Sequence, residues 1–342
     1  MSVFNDKCND LIMKVQELLK HEPEWVARYS GYASLIRKNL EIIKENKVRF
    51  REWAPLHLYM TIGQAKSQMQ YGLRYLGQDV AKLKVGKDGI NISTAAFTET
   101  NKKNFDCDII LDDCGWRSEK AKSFRQHFSG PLKRSTLSGK SNHEHRLESL
   151  LITEFSKKIR EEKLICNIQP VKLAGFARFQ MPTPLGASNM TSLKYSGANG
   201  GGIDIISRIG KDTKLCIMEV KDENKSQEPP AKAIQQGLAY ATFIRELLRS
   251  ECGEEWWKIF GFTRKLPESI DLYVACVMPS LQSNDVSFAG EKINVGNDSF
   301  HLHYLYYEEQ DNKLSSISSS LPQCEVTQQG NSIINSSVNV TM

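Results

Sequence analysis

The residues best placed to do chemistry are two carboxylates and an amine. They stand in Gly202-Ile203-Asp204-Ile205-Ile206 and in Cys216-Ile217-Met218-Glu219-Val220-Lys221. Apolar residues flank Asp204, and Glu219 and Lys221 close a second apolar run. Hard carboxylate oxygens suit Mg2+ or Mn2+, which keep several waters. Asp204 and Glu219 are the expected ligands, helped by the main-chain carbonyl of Val220. An ion held there lowers the pKa of its water and neutralises charge on a phosphoryl oxygen. The Lys221 cation would orient or activate that water and favour an anionic transition state. This is chemistry for metal-assisted hydrolysis.

Such groups need rigid elements behind them. Side chains alternate along a strand, so Glu219 and Lys221 share a face with Leu215 and Ile217. The other face carries Cys216, Met218 and Val220, and apolar residues on both faces predict a central strand. Charges at its end are costly to desolvate unless paired or bound to a metal. A helix is predicted over 230–249, after Pro229-Pro230. On a helical wheel Gln236, Tyr240, Phe243 and Leu247 form its inward stripe, which leaves Gln235, Thr242, Arg245, Glu246 and Arg249 on the wet side. A helix over 143–162 has Leu147, Leu151, Ile152, Phe155 and Ile159 on one face, with Glu148 in the middle and Glu144 nearer the frayed start. Ionisable groups turned inward in this way mark a working site.

These residues resemble the PD-(D/E)XK nuclease superfamily. Its pattern is an acid on the first core helix, an Asp opening one strand and (Glu/Asp)-x-Lys on the next. The branch that includes lambda exonuclease and the RecB-type nucleases adds Gln-x-x-x-Tyr on the following helix. Glu148, Asp204, Glu219-Val220-Lys221 and Gln236-Gly237-Leu238-Ala239-Tyr240 match in order. Ile203 replaces the proline usually drawn before the Asp. The resemblance covers about 143–280. It implies a restriction-endonuclease-like α/β fold, a mixed sheet flanked by helices, and Mg2+- or Mn2+-dependent cleavage of DNA in restriction, repair or defence, with RNA also open as substrate. Glu148 would complete a second metal site or hold a metal-bound water, and Gln236 and Tyr240 would position the site or the substrate backbone. The alternative is a non-catalytic nucleic-acid-binding or assembly protein that keeps the fold.

The 342 residues suggest two domains. Residues 1–140 carry a net charge of +8 and the remainder −3, which together give the chain's +5. A basic α+β domain over 1–140 is expected, binding nucleic acid or a partner protein, and for the chain as a whole a homodimer is left open. Its predicted elements are helices at 6–20 and 23–46, a strand at 56–62, a hairpin of 79–85 and 90–93 about Gly86-Lys87-Asp88-Gly89, a strand at 107–112, and a helix from Trp116 to Phe128. On that last helix Trp116, Phe124 and Phe128 face inward. Arg117, Lys120, Lys122 and Arg125, with Lys133 and Arg134 after it, read equally as phosphate contacts or as a solvated face. The turn-rich segment 130–142 is the expected domain boundary. Strands are then predicted at 164–172, 174–180, 202–208, 214–221, 270–278 and 300–307, with a loop over 184–201. The nuclease-like domain runs over 143–310, and a polar, disordered tail over 313–342.

Asp106, Asp108, Asp112 and Asp113 read as turn and capping chemistry. His143-Glu144-His145 is expected in solvent. Gly200-Gly201-Gly202 leads into a strand, so it is not a phosphate loop. No Walker motif, CxxC pair or long apolar run occurs, which leaves ATPase, zinc-ribbon and membrane-spanning readings without support. The polar N-terminus and scattered cysteines point to a reducing, cytoplasmic setting.

Overall fold

In the computed structural model, residues 3–46, 56–63, 68–87, 89–94, 105–129, 142–157, 164–165, 167–173, 177–186, 193–210, 214–222, 228–281, 284–311 and 313–322 are described. The helices are α1 (Val3–His21), α2 (Glu24–Asn46), α3 (Glu119–Ser129), α4 (Asn142–Ser156), α5 (Pro230–Arg249) and α6 (Gly253–Ile259). The longer strands are β1 (His57–Gly63), β2 (Gln68–Tyr75), β3 (Gln78–Gly86), β4 (Gly89–Ser93), β5 (Ile168–Pro170), β6 (Ala177–Phe179), β7 (Ile205–Ile209), β8 (Lys214–Val220), β9 (Asp271–Pro279), β10 (Lys292–Val295), β11 (Asp298–Gln310) and β12 (Lys313–Ser319). The architecture is mixed α+β.

One sheet has the order β10-β11-β9-β8-β7-β5, with β12 beside the far end of β11. Strands β8, β9 and β11 run parallel, and β7 is antiparallel to β8. As its two apolar faces require, β8 is central. Leu215 and Ile217 join the cluster that contains Ala233, Ile234 and Phe243 of α5. Cys216, Met218 and Val220 join the cluster of Leu147, Leu151, Ile152 and Phe155 from α4. Pro230 opens α5, where its missing N–H costs nothing and its fixed φ suits a helix.

The second sheet has the order Cys114–Gly115, β4, β3, β2, β1, β6, Lys172–Leu173. The expected hairpin forms, with Gly86 opposite Gly89. The predicted strand 107–112 does not. Asp106 and Asp113 adopt left-handed φ of 51° and 45°, which Asp tolerates, and they bend the segment away from a regular ladder. The Leu111 carbonyl still reaches across, accepting the Thr94 N–H at 2.9 Å.

The N-terminal part does not stand apart from the rest. Strand β1 pairs in parallel with β6, Tyr59 opposite Arg178. Helix α1 packs on α5. Trp25 and Tyr29 of α2 meet Phe243 of α5 edge-on, and the Trp256 indole donates to the Tyr29 carbonyl at 3.1 Å. One hydrophobic cluster therefore runs from Cys8 to Tyr306. Residues 130–141, at the expected boundary, lie outside the described residues.

This covering also corrects the wet side of α5. Thr242 is fully buried and donates to the Leu238 carbonyl at 2.8 Å. Arg245 and Arg249 are half-buried and clamp the buried Asp298. Glu246 accepts from Gln16 of α1 at 2.8 Å.

The tail is likewise corrected. Residues 313–319 form β12 against β11, and Leu314, Ile317 and Leu321 are buried. Their spacings of three and four break strand alternation, and the pairing itself shifts register between Glu308 and Glu309. Residues 323–342 lie outside the described set. The loop expected at 184–201 contains a small antiparallel pair, Leu185–Gly186 with Lys194–Tyr195, and a 3-10 turn at Gly197–Asn199. Strands β2 and β10 and helix α6 are further elements beyond those predicted. Among the described residues no helix is long and apolar enough to cross a membrane.

Candidate metal centre

Asp204 lies between the short strand Gly202–Ile203 and β7. Its Oδ2 accepts the Val220 N–H at 2.8 Å, which ties it to the end of β8. Glu219 is on β8, and Lys221 follows its last residue. The Lys221 ammonium donates to Glu219 Oε1 at 2.6 Å and lies 3.7 Å from Glu144 Oε1. The Lys221 N–H is held by the Val277 carbonyl at 2.8 Å, and its carbonyl accepts the Tyr307 hydroxyl at 3.2 Å. The strand end is thus fixed on both sides.

One carboxylate oxygen each from Glu144, Asp204 and Glu219 lie within 4.8 Å of one another. Among the described residues no other trio of His, Cys, Asp or Glu does this. Glu219 is buried, whereas Glu144 and Asp204 keep partial access. The helix thus contributes Glu144 rather than the expected Glu148 to this trio. Glu148 is buried and accepts from His145 Nδ1 at 3.1 Å. It lines a narrow gap with Asp204. The wheel alone sets Glu144 aside as too close to a helix end. Helix α4 begins at Asn142, which places Glu144 in the first turn, one turn before Glu148.

Electrostatics show a centre short of positive charge. Burial, then the carboxylates of Glu219, Glu148 and Glu144, push Asp204 well above the usual carboxylate range. Burial pushes Glu219 up to about 7 despite the neighbouring Lys221. Burial also raises Glu144. Burial alone would lower the Lys221 ammonium, but Glu219, Glu144 and Asp204 outweigh it, and its pKa rises. Lys221 is therefore a firm cation and a donor, not a base at neutral pH. Glu219 Oε2 is buried without a hydrogen-bond partner. An orphaned carboxylate oxygen in a cluster of raised-pKa acids fits a hard divalent cation.

Gln236 and Tyr240 come to this centre as expected, both buried. Gly237 makes that possible. A Cβ there would lie 3.0 Å from Val274 Cγ1 and 3.5 Å from Glu219 Cβ, so only glycine lets α5 come this close beside Glu219 without displacing Val274. Burial raises the Tyr240 phenol, and Gln236 hydrogen-bonds it. Gly201 passes so near that a Cβ would lie 2.9 Å from the Tyr240 oxygen.

The candidate phosphate contacts are elsewhere. Arg117, Lys120 and Lys122 are exposed, with Lys122 near Glu119 at 3.4 Å. Arg125 is half-buried, lies over the Trp116 ring at 5.0 Å and donates to the Trp116 carbonyl. Trp116, Phe124 and Phe128 are buried as predicted. Lys133 and Arg134 lie outside the described residues. The Asp106–Asp113 group gathers no metal-binding trio, and Asp113 pairs with Lys84 at 2.5 Å.

The fold and centre define a mixed α+β protein with a carboxylate trio and a buried lysine at the end of a central strand. Comparison of the chain with protein-family models, curated proteins and solved structures finds no match.

Proposed function

We propose that the protein is a metal-dependent nuclease that hydrolyses phosphodiester bonds, with DNA as substrate. The observation that carries this reading is the buried Glu219, one oxygen bound by Lys221 and the other orphaned, set against Asp204 and Glu144. Asp204, Glu219 and Glu144 would hold Mg2+ or Mn2+, with the Val220 carbonyl beside them. The ion, when bound, supplies Lewis-acid charge for the phosphoryl oxygen and activates water.

The chain's own residues do the rest. Lys221, kept protonated by its acidic neighbours, orients the attacking water or donates to a phosphoryl oxygen where charge develops. Its main chain is fixed by the Val277 and Tyr307 hydrogen bonds, and its ammonium is held by Glu219. Gln236 and Tyr240 hold the α5 side of the centre, and the Gly200–Gly202 loop lies against the Tyr240 hydroxyl.

The test is cleavage by the purified full chain of circular and linear, single- and double-stranded DNA, and of RNA, with Mg2+, Mn2+ or chelator. Metal-dependent cutting of DNA is expected. Absence of cutting on every substrate with either ion sinks the proposal and favours a binding protein.

A further inference from the structure

We propose that two contacts, one from each large sheet, clamp the first turn of α4 and so set Glu144 as the third ligand of the metal centre. One is the Leu76–Gly77 turn between β2 and β3. The other is the ion pair of Arg146 with Glu309 of β11. These are positioning residues, and the inference rests on the metal-centre reading above. Asp204 and Glu219 need no such help. They stand on or beside the paired strands β7 and β8, and the Val220 N–H ties Asp204 in place. Glu144 lies in the first turn of a helix, where the opening N–H groups have no partner within the helix and the backbone frays.

The first contact is backbone on backbone. Tyr75 pairs with Gln78, so Leu76 and Gly77 form a two-residue turn. Their φ values are 48° and 78°, both left-handed, as a tight hairpin of this twist requires. A Cβ on Gly77 would overlap the His145 carbonyl and come within 2.9 Å of the Arg146 nitrogen. Glycine is needed here twice, for its φ and for the close approach. The turn thus lies directly against the His145–Arg146 peptide, one residue past Glu144. Leucine is disfavoured in this conformation, but the Leu76 side chain packs on the core and anchors the turn.

The second contact is charged. The Arg146 guanidinium donates to both oxygens of Glu309, at 2.8 Å to Oε2. The Arg146 side chain is 5% exposed and that of Glu309 is 19% exposed, so water screens the pair little. Two parallel donors fix direction as well as distance. Leu305 and Tyr307 precede Glu309 on the face of β11 that shares a core with α4. Held at both contacts, the first turn of α4 cannot slide or rotate without breaking one of them. Glu144 therefore keeps an oxygen within 4.8 Å of those of Asp204 and Glu219, although like charges repel.

The test is the Mn2+ affinity of the full chain, titrated by electron paramagnetic resonance, with folding checked by circular dichroism. Gly77→Ala and, separately, Glu309→Gln should each weaken Mn2+ binding about tenfold or more, the usual effect of losing a group that holds a ligand. In a Glu144→Gln chain the same substitutions should weaken it no further, because the ligand they position is gone. Glu309→Gln keeps the side-chain volume and decides the matter if Gly77→Ala does not fold. Wild-type affinity in Glu309→Gln, or in a folded Gly77→Ala, overturns the clamp and leaves the metal centre in place. So does an equal loss in the Glu144→Gln background, which marks general damage to the fold. If the wild type binds no Mn2+, the clamp and the centre fall together. If Mn2+ binding depends on the clamp but no nucleic acid is cut, the clamp stands and the nuclease reading falls.

Discussion

Glu144 and Glu148 stand one turn apart on α4, and the structure gives them different work. Glu144 shares the trio with Asp204 and Glu219, whereas Glu148 accepts from His145. Glu144→Gln should weaken Mn2+ binding by about tenfold or more, and Glu148→Gln by clearly less. Equal losses in a titration followed by electron paramagnetic resonance would contradict the assignment. Metal affinity should also depend on pH. A carboxylate must lose its proton to bind, and Glu219 holds its proton up to about 7. Affinity should therefore fall as pH drops from about 8 to about 6, and a flat profile would show that Glu219 is no ligand.

His303 gives an independent pH signature. Burial, with the charge of His301, lowers it to about 4, against an ordinary value near 6.5. The unfolded chain takes up this proton first. His303 therefore contributes full stability above about pH 6.5, and that contribution disappears as pH falls towards about 4. Urea unfolding at about pH 7.5 and about pH 5 should show a larger loss for the wild type than for His303→Gln. The difference between the two cancels the carboxylate cluster, whose raised values act in the opposite direction. Asp204, Glu219, Lys221, Gln236 and Tyr240 are legible in the sequence because each is a polar residue inside an apolar strand or stripe. Glu144 is not, because a helix start is ambiguous on a wheel.

Strand β12 tests how elements support the site. Its Leu314 and Ile317, with Leu321, are buried in the cluster that includes α4 and the β8 face opposite Glu219. Ending the chain after residue 312 should cost about 4 kcal/mol or more, at roughly 1.5–3 kcal/mol per buried leucine or isoleucine. Ending it after residue 322 keeps all three. Equal melting temperatures for the two truncations would show that β12 contributes nothing. The strand is hidden in the sequence because serines fill every position of 313–319 except Lys313, Leu314 and Ile317, and a register shift precedes it. By contrast, β8 and α5 are legible almost to their ends, because a two-sided apolar strand and a proline-led helix each carry their own signal.

The whole molecule folds around contacts that no local pattern announces. The parallel pairing of β1 with β6, and the α1 and α2 packing on α5, join residues more than a hundred positions apart. Composition divides the chain into a basic and an acidic part, but charge describes surfaces and says nothing about which strands pair. The full chain should therefore unfold in one calorimetric transition, and fragments 1–141 and 142–342 expressed alone should not fold. Two separate transitions, or a stable isolated half, would contradict this shared core. The most direct measurement is a Mn2+ titration of the full chain at about pH 7.5, wild type against Asp204→Ala, above the point where Glu219 gives up its proton. Saturable binding in the wild type that is absent from a folded Asp204→Ala variant is the predicted result. Undiminished binding in the variant, or none in the wild type, would contradict a metal centre at Glu144, Asp204 and Glu219.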